Sequence, residues 1–376
     1  MPRPGAAPQC NGGTEENIPL QIRTVVGFLV NAKYCRPRQP RFVVPCPATS
    51  GLRGLFVSVA IAMITDQKGY ALARYALASV LLSQTHDYTP FLFVDRWDGP
   101  TDEDGLLRLG RSIGRPVEVV KFDKNIFGQL GYKTRPHVSL AAYLKFDALQ
   151  YLSKRFDRAL YADTDMLFYQ PLDISGIDFH GNPIGAVYDL GECLLHDVQG
   201  VEAQCSSSGY ARDYFNSGLM LLDCAHVEFE ALGPIYEAHC ETHQFQCPYD
   251  DNCALSDQCA FNMTFENRWT PLPLTWNVQS ITLQTDLWDQ AAIRHYTGPI
   301  KFLPLRARRA DKKERRLIAT LATALGDVRP TIWPGMGAVY WANALRRARA
   351  RAKMARAAQI TEYTIVARRE AIANAR

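Results

Sequence analysis

The 376-residue chain has no long hydrophobic run. Its longest, Leu55 to Ile64, is interrupted by Ser58 and falls far short of the ~20 apolar residues that a membrane-crossing helix needs. Near the start the one apolar stretch, Val25 to Val30, lacks the length and the small-residue cleavage pattern of a secretory signal, so the expected location is cytoplasmic. Cysteine is too scarce for a disulfide scaffold, ten in all, and no CxxC pair occurs. Seven cysteines fall between Cys193 and Cys259, but spacings such as Cys240, Cys247, Cys253 and Cys259 fit no common zinc framework. Reduced thiols, several of them buried, are expected, with loop disulfides as the alternative in an exported chain. No internal repeat is present. What is there, 47% apolar and 21% charged residues, excludes a disordered or fibrous chain and allows a sizeable core without staples.

Charge of either sign is nearly balanced overall at +4, but the balance hides an asymmetry. Between Lys301 and Arg376 there are 18 basic and five acidic residues, a net +13, which leaves the first 300 residues at −9. An acidic body suits a site for divalent cations. A basic tail suits an anionic surface such as phospholipid headgroups or nucleic acid.

Residues 1–54 are rich in Pro and Arg with weak periodicity, and an irregular leader is expected there. The body opens with Leu55 to Ile64, a Val- and Ile-rich run of strand length ending at Thr65-Asp66. Ala73, Ala76, Leu77, Val80 and Leu81 then repeat at three and four residues, the apolar face of a helix. Short strands are expected at Phe91 to Val94 and Val117 to Phe122. Ser139 is placed to cap a helix whose stripe runs Leu140, Leu144, Ala148, Tyr151 and Leu152. It feeds a strand at Ala159 to Ala162, and further strands are expected at Ile184 to Val187 and Gly218 to Leu222. Alternating strands and helices predict an α/β fold with a mainly parallel sheet covered on both faces.

The strand at Ala159 stops at Asp163-Thr164-Asp165, so two carboxylates sit at the carboxyl end of a central strand, the edge where open parallel sheets bind ligands. Paired carboxylates with open coordination positions suit Mg²⁺ or Mn²⁺ bridging nucleotide phosphates. The spacing alone also arises at Asp102-Glu103-Asp104, read as a solvated cluster in a Gly-flanked loop. Only Asp163 and Asp165 follow one apolar strand and precede another stretch, Met166 to Tyr169.

Five segments in order carry a resemblance: HVSLAAYLKFDAL from His137, YADTDML from Tyr161, YFNSGLMLLD from Tyr214, DQCAFN from Asp257 and HYTGPIKF from His295. Together they resemble glycosyltransferase family 8, the retaining, metal-dependent transferases of the GT-A (Rossmann-like) fold. The resemblance implies a GT-A domain over 55–304, preceded by the leader 1–54 and followed by a basic helical tail over 305–376. It implies that His295 joins Asp163 and Asp165 around Mn²⁺, with Mg²⁺ as the alternative, and that a UDP-sugar rides on the ion. Gly298 would let a diphosphate approach the backbone, and Lys301 would neutralise charge on departing UDP. Asp66 and Tyr70 match the place that holds uracil and ribose, although Asp66 also suits a helix cap. Lys145 matches a basic position near the donor sugar and phosphate, its alternative being a solvated helix residue. Asn216 and Ser217 match the segment that bonds donor hydroxyls. Asp257 and Gln258 match the pair lying against the donor sugar, Gln258 near the anomeric carbon, with a helix cap as the alternative for Asp257.

The implied reaction moves glucose or galactose from UDP to a glycan, lipid-linked or protein acceptor with retention. Gln258 is a poor nucleophile, which favours a front-face route over a covalent intermediate. From Trp341 to Arg356 a basic amphipathic helix is expected, and by analogy with enzymes acting on lipid-linked sugars it points to peripheral contact with the inner membrane face. Two other classes stay open at this point. A sugar-nucleotide nucleotidyltransferase should carry a Gly-rich basic loop after its first strand, which Thr65-Asp66-Gln67-Lys68-Gly69 supplies poorly. A non-enzymatic protein binding anionic surfaces through its tail would not need Asp163, Asp165 and His295 together; no nucleic-acid partner is expected.

Overall fold

A computed structural model of the chain describes residues 57–122, 140–190, 214–245, 247, 256–283, 286–298, 301–303 and 311–328. The expected leader over 1–54, the cysteine-bearing stretch Gly191 to Arg212 and the helix expected over Trp341 to Arg356 lie outside the described residues.

The opening apolar run becomes β1 (Val59–Thr65), buried along its whole length. A strand apolar on both faces belongs in the middle of a covered sheet, and there it is. With β2 (Thr89–Asp95), β3 (Glu118–Phe122), β4 (Arg158–Ala162), β6 (Ile184–Tyr188), β7 (Phe215–Asp223) and β8 (Trp269–Pro271) it forms a seven-stranded sheet in the order β3-β2-β1-β4-β7-β6-β8. Pairing is parallel from β3 through β4 and between β6 and β8, while β7 runs antiparallel to both neighbours. A second, three-stranded sheet joins β5 (Met166–Phe168) to β10 (Ile293–His295) and β9 (Val278–Gln279). This is the α/β architecture that the strand and helix pattern predicts.

Helix α1 (Tyr70–Ser83) buries the expected face, with Ala73, Ala76, Leu77 and Val80 fully enclosed. The next expected helix is a 3₁₀ turn over Leu140–Leu144 that passes into α3 (Lys145–Ser153) and buries Leu144, Ala148 and Leu152. Three helices were not anticipated, over Gly105–Ser112, Phe229–Phe245 and Asp286–Gln290. Asp104, assigned above to a solvated loop, accepts from the Leu106 backbone amide at 2.7 Å and caps α2 (Gly105–Ser112). Gly105 is where α2 meets the last described helix, because a Cβ there would stand 2.0 Å from the Leu325 carbonyl oxygen.

Helices α4 (Phe229–Phe245) and α5 (Ser256–Thr264) close the other side through rings, Phe146 stacking on Tyr236 at 4.7 Å and Tyr236 meeting Phe261 at 4.8 Å. Truncating a ring in such a cluster costs about 3–5 kcal/mol. After the short α6 (Asp286–Gln290) comes α7 (Lys312–Leu325), within the stretch expected as tail. It buries Ile318, Leu321, Ala322 and Leu325 in the same core as β1 and α1. Asp311 caps it by accepting from the Glu314 amide at 2.8 Å and takes an ion pair from the buried Arg294 at 2.6 Å. Arg74 of α1 reaches Asp327 just beyond it at 2.7 Å. Part of the basic stretch is therefore structural packing rather than free surface. Among the described residues no helix is long and apolar enough to cross a membrane.

Candidate active site

Strand β4 ends at Ala162, the Met166 amide donates to the Asp163 carbonyl at 3.3 Å, and the chain turns into β5. Strand β5 pairs antiparallel with β10 so that Met166 stands opposite His295, and the Tyr296 amide donates to the Asp165 carbonyl at 3.0 Å. Strand register thus brings a remote histidine beside the acidic turn. His295 Nε2 lies 3.1 Å from Asp165 Oδ1 and 4.0 Å from Asp163 Oδ2, and one ligand atom from each residue falls within 4.8 Å of the others.

The protonation of His295 follows from an amide chain behind it. Asn216 Oδ1 accepts from the Gly218 backbone amide at 3.1 Å and from Asn277 Nδ2 at 3.0 Å, which turns Asn277 Oδ1 towards His295 Nδ1 at 2.9 Å. Nδ1 therefore donates to Asn277, and Nε2 is the ring nitrogen that faces the acidic turn. Facing it, Asp165 Oδ1 is buried without a well-directed hydrogen bond. A positive charge between them, a proton or a metal ion, is what lets these two groups lie this close. Two carboxylates and one imidazole are also a donor set that fits Mn²⁺, or Mg²⁺ less well. Burial alone would raise the Asp165 carboxyl, but His295 and the Lys301 ammonium outweigh it and hold that carboxyl well below the usual range.

Lys145 opens α3 and is buried, which excludes the solvated alternative. Its Nζ sits 3.1 Å from Asp163 Oδ1 and 2.9 Å from Asp257 Oδ2, and Tyr161 donates to the same Asp163 oxygen at 2.7 Å. Burial would strip its proton, yet the two carboxylates hold its pKa above the ordinary lysine range. Lys301 donates to Asp165 Oδ2 and to the Tyr296 carbonyl. Three acidic groups, Asp163, Asp165 and Asp257, thus sit against two lysines.

Asn216 and Ser217, expected on the donor side, lie on β7 where its pairing with β6 slips from Ala186↔Met220 to Val187↔Asn216. Such a bulge frees Ser217 and Gly218 from β6 and aims them at the site. Ser217 Oγ donates to Asp257 Oδ2 at 3.3 Å, and Gln258 Oε1 accepts from Asn216 at 3.1 Å and from the Ser217 amide at 3.2 Å. Asp257 stands in the first turn of α5 with its carboxylate on Lys145, and burial raises its pKa more than Lys145 lowers it. Gly218 is required sterically, since a Cβ would stand 2.5 Å from His295 Cε1 and 2.8 Å from Asp163 Oδ2.

Strands β1 and β4 are parallel neighbours in the register Ala62↔Tyr161, so Asp66 and Asp163 leave the sheet at one edge. Asp66 accepts from the Gly69 amide at 2.7 Å and closes the turn before α1 without capping it, since Gly69 is the N-cap and no side chain bonds the helix there. The Tyr70 ring meets Trp97 at 4.9 Å, so a protein aromatic occupies one side of it. Gly298 has φ of +80° with open space where a Cβ would be. Backbone handedness, rather than close approach, reserves that position for glycine.

Two residues of the site were not anticipated. Asp189 follows β6 as Asp163 follows β4, and it accepts from Asn216 at 2.9 Å and from Gln258 Nε2 at 3.0 Å. A carboxylate after an apolar strand was a usable signal. Asn277 carries no such signal, because its role lies in its orientation.

A model of Glycosyl transferase family 8 matches residues 60–302. Glycosyltransferase GlyF of Streptococcus pneumoniae is 32% identical over 174 residues, which cover 44% of this chain and 37% of that protein. The Probable glycosyl transferase Gly of Streptococcus gordonii is 28% identical over 172 residues, 45% of this chain and 22% of that protein. The matches thus span under two fifths of either relative. Among solved structures, galactosyltransferase LgtC, determined with donor and acceptor sugar analogs, superposes with a TM-score of 0.56 at 20% identity, over 72% of this chain and 97% of that one. The bifunctional WbbM glycosyltransferase gives 0.55 at 17%, over 73% and 53%. Likeness at these identities is a likeness of fold, and the fold is GT-A.

Proposed function

Since the chain belongs to glycosyltransferase family 8, we propose that it moves a hexose, glucose or galactose, from a UDP-sugar to a glycan, lipid-linked or protein acceptor with retention of configuration. The observation that carries this reading is the convergence of Asp163, Asp165 and His295 within 4.8 Å at the ligand-binding edge of the sheet. Mn²⁺ held there would neutralise charge on the UDP leaving group. Lys301, already on Asp165, is placed to share that task. Asn277 orients the His295 ring with Nε2 towards the acidic turn, and Lys145 fixes the position of the Asp163 carboxylate.

Asn216, Ser217, Asp257, Asp189 and Gln258 form one hydrogen-bonded wall, the arrangement that reads sugar hydroxyls. No free protein nucleophile stands out along it. Gln258 Oε1 is occupied by two donors, and the Asp257 carboxylate is engaged by Lys145. Departure of UDP and attack of the acceptor on the same face, with a UDP oxygen taking the acceptor's proton, is the route these residues leave open. A glycosyl adduct trapped on Asp257, Gln258 or Asp189 would overturn it. Screening UDP-sugars for Mn²⁺-dependent hydrolysis without acceptor tests the function. Turnover of one UDP-hexose that stops with chelator is expected, and metal-independent turnover, or none with any UDP-sugar, would reject it.

A further inference from the structure

A second group of metal-ligating side chains lies away from the acidic turn. His243 is in the last turn of α4, Cys247 follows that helix, and Cys259 is in α5. All three are buried, and one nitrogen and two sulfur atoms fall within 4.8 Å of one another. Helical and loop segments meet here, which is why cysteine spacing alone hid the group; the missing member is a histidine. We propose that His243, Cys247 and Cys259 form a binding site for a borderline-soft divalent cation, zinc, separate from the acidic site.

Three properties of the cluster support it. Thiolates bound at ~2.3 Å to one tetrahedral ion stand ~3.8 Å apart, and the two sulfur atoms are 3.7 Å apart. A disulfide would need them at ~2.05 Å. The remaining ligand pairs, at most 4.8 Å apart, close on an ion by about an ångström, a rotamer adjustment. Loading releases two thiol protons to solvent, and two thiolates with a neutral imidazole then carry the two negative charges that a divalent cation cancels. The filled site is neutral, as its burial among Tyr214 and neighbouring side chains requires. Three ligands leave the fourth tetrahedral position to another group.

The site has a structural consequence. Cys259 directly follows Asp257 and Gln258 in α5, so a cation anchoring Cys259 to the end of α4 fixes the helical turn that presents both residues to the donor wall. The Tyr214 hydroxyl, 3.1 Å from Cys259 Sγ, ties the start of β7 to the same point.

The test uses the full chain purified under reducing conditions without chelator. Mass spectrometry of metal content is expected to find about one zinc per chain, and replacement by Co²⁺ should give a thiolate-to-cobalt charge-transfer band. Asp163→Asn/Asp165→Asn should keep both zinc and band, while Cys247→Ser/Cys259→Ser loses both. Because that variant alters two buried side chains, thiol reactivity is also read on the native chain, where a zinc chelator should expose two further cysteines to a thiol reagent. A zinc-free native chain without a cobalt band would overturn the proposal. So would a Cys247–Cys259 disulfide, or loss of the band only in the aspartate variant.

Discussion

The two clusters that gather metal-ligating groups are opposites. The acidic one lies at strand ends, partly open to solvent, with the Asp163 side chain 28% exposed and lysines on either side. Its ligands are oxygen-rich, and its lysines compete with the ion. The thiol one is dry, and its cysteines lie in a small apolar cluster with Tyr214. An ion that must exchange with substrate phosphates needs hard ligands and open positions, whereas an ion that only holds two helices together needs neither. The proposed roles follow this contrast, catalysis for one site and anchoring for the other.

The largest effect should come from breaking the acidic site. Asp165→Asn should lower Mn²⁺-dependent UDP-sugar hydrolysis on the order of a thousandfold, about 4 kcal/mol of transition-state stabilisation, while zinc content stays unchanged. Lys145→Met leaves Asp163 and Asp257 uncompensated in a buried site and should cost about 3 kcal/mol of stability, read from denaturant unfolding. Gly218→Ala pushes against His295 and Asp163 and should slow turnover by about a hundredfold, since a misplacement of an ångström costs that much, with about 1–3 kcal/mol of stability lost to overpacking.

The smallest effect sharpens the contrast between burial with and without a cation. Asp147 is half-buried with no cation against it among the described residues, and desolvation, aided by Glu237, raises its carboxyl to about 6. Its folded form binds a proton more tightly than the unfolded chain, so stability should fall as pH rises from about 4 to about 6, by on the order of 2 kcal/mol. Asp147→Asn should flatten that part of the stability profile. Asp165 is held in the opposite direction by His295 and Lys301, and its contribution persists until strongly acidic pH.

What was readable in the sequence followed from burial. β1, β4 and β7 are enclosed, so their apolar runs stand out, and the carboxylates that end β4 mark the ligand edge. Short or amphiphilic elements were hidden: α2 has eight residues and hangs on Asp104, whose acidic neighbours suggested a loop. Helix α7 looked like tail because its charged face dominates a narrow apolar stripe. Lys145 read as ambiguous because only the fold brings Asp163 and Asp257 to it. Asn277 was unreadable in principle, since hydrogen-bond polarity passes through partners far apart in the chain.

The most direct measurement is calorimetric titration of UDP into the full chain, with Mn²⁺ and again with excess chelator, for the native protein and Asp165→Asn. Binding that weakens at least about tenfold, 1.4 kcal/mol, when either the ion or the carboxylate is removed is the predicted result. UDP affinity that is the same in all four titrations would contradict an ion shared by Asp163, Asp165 and His295.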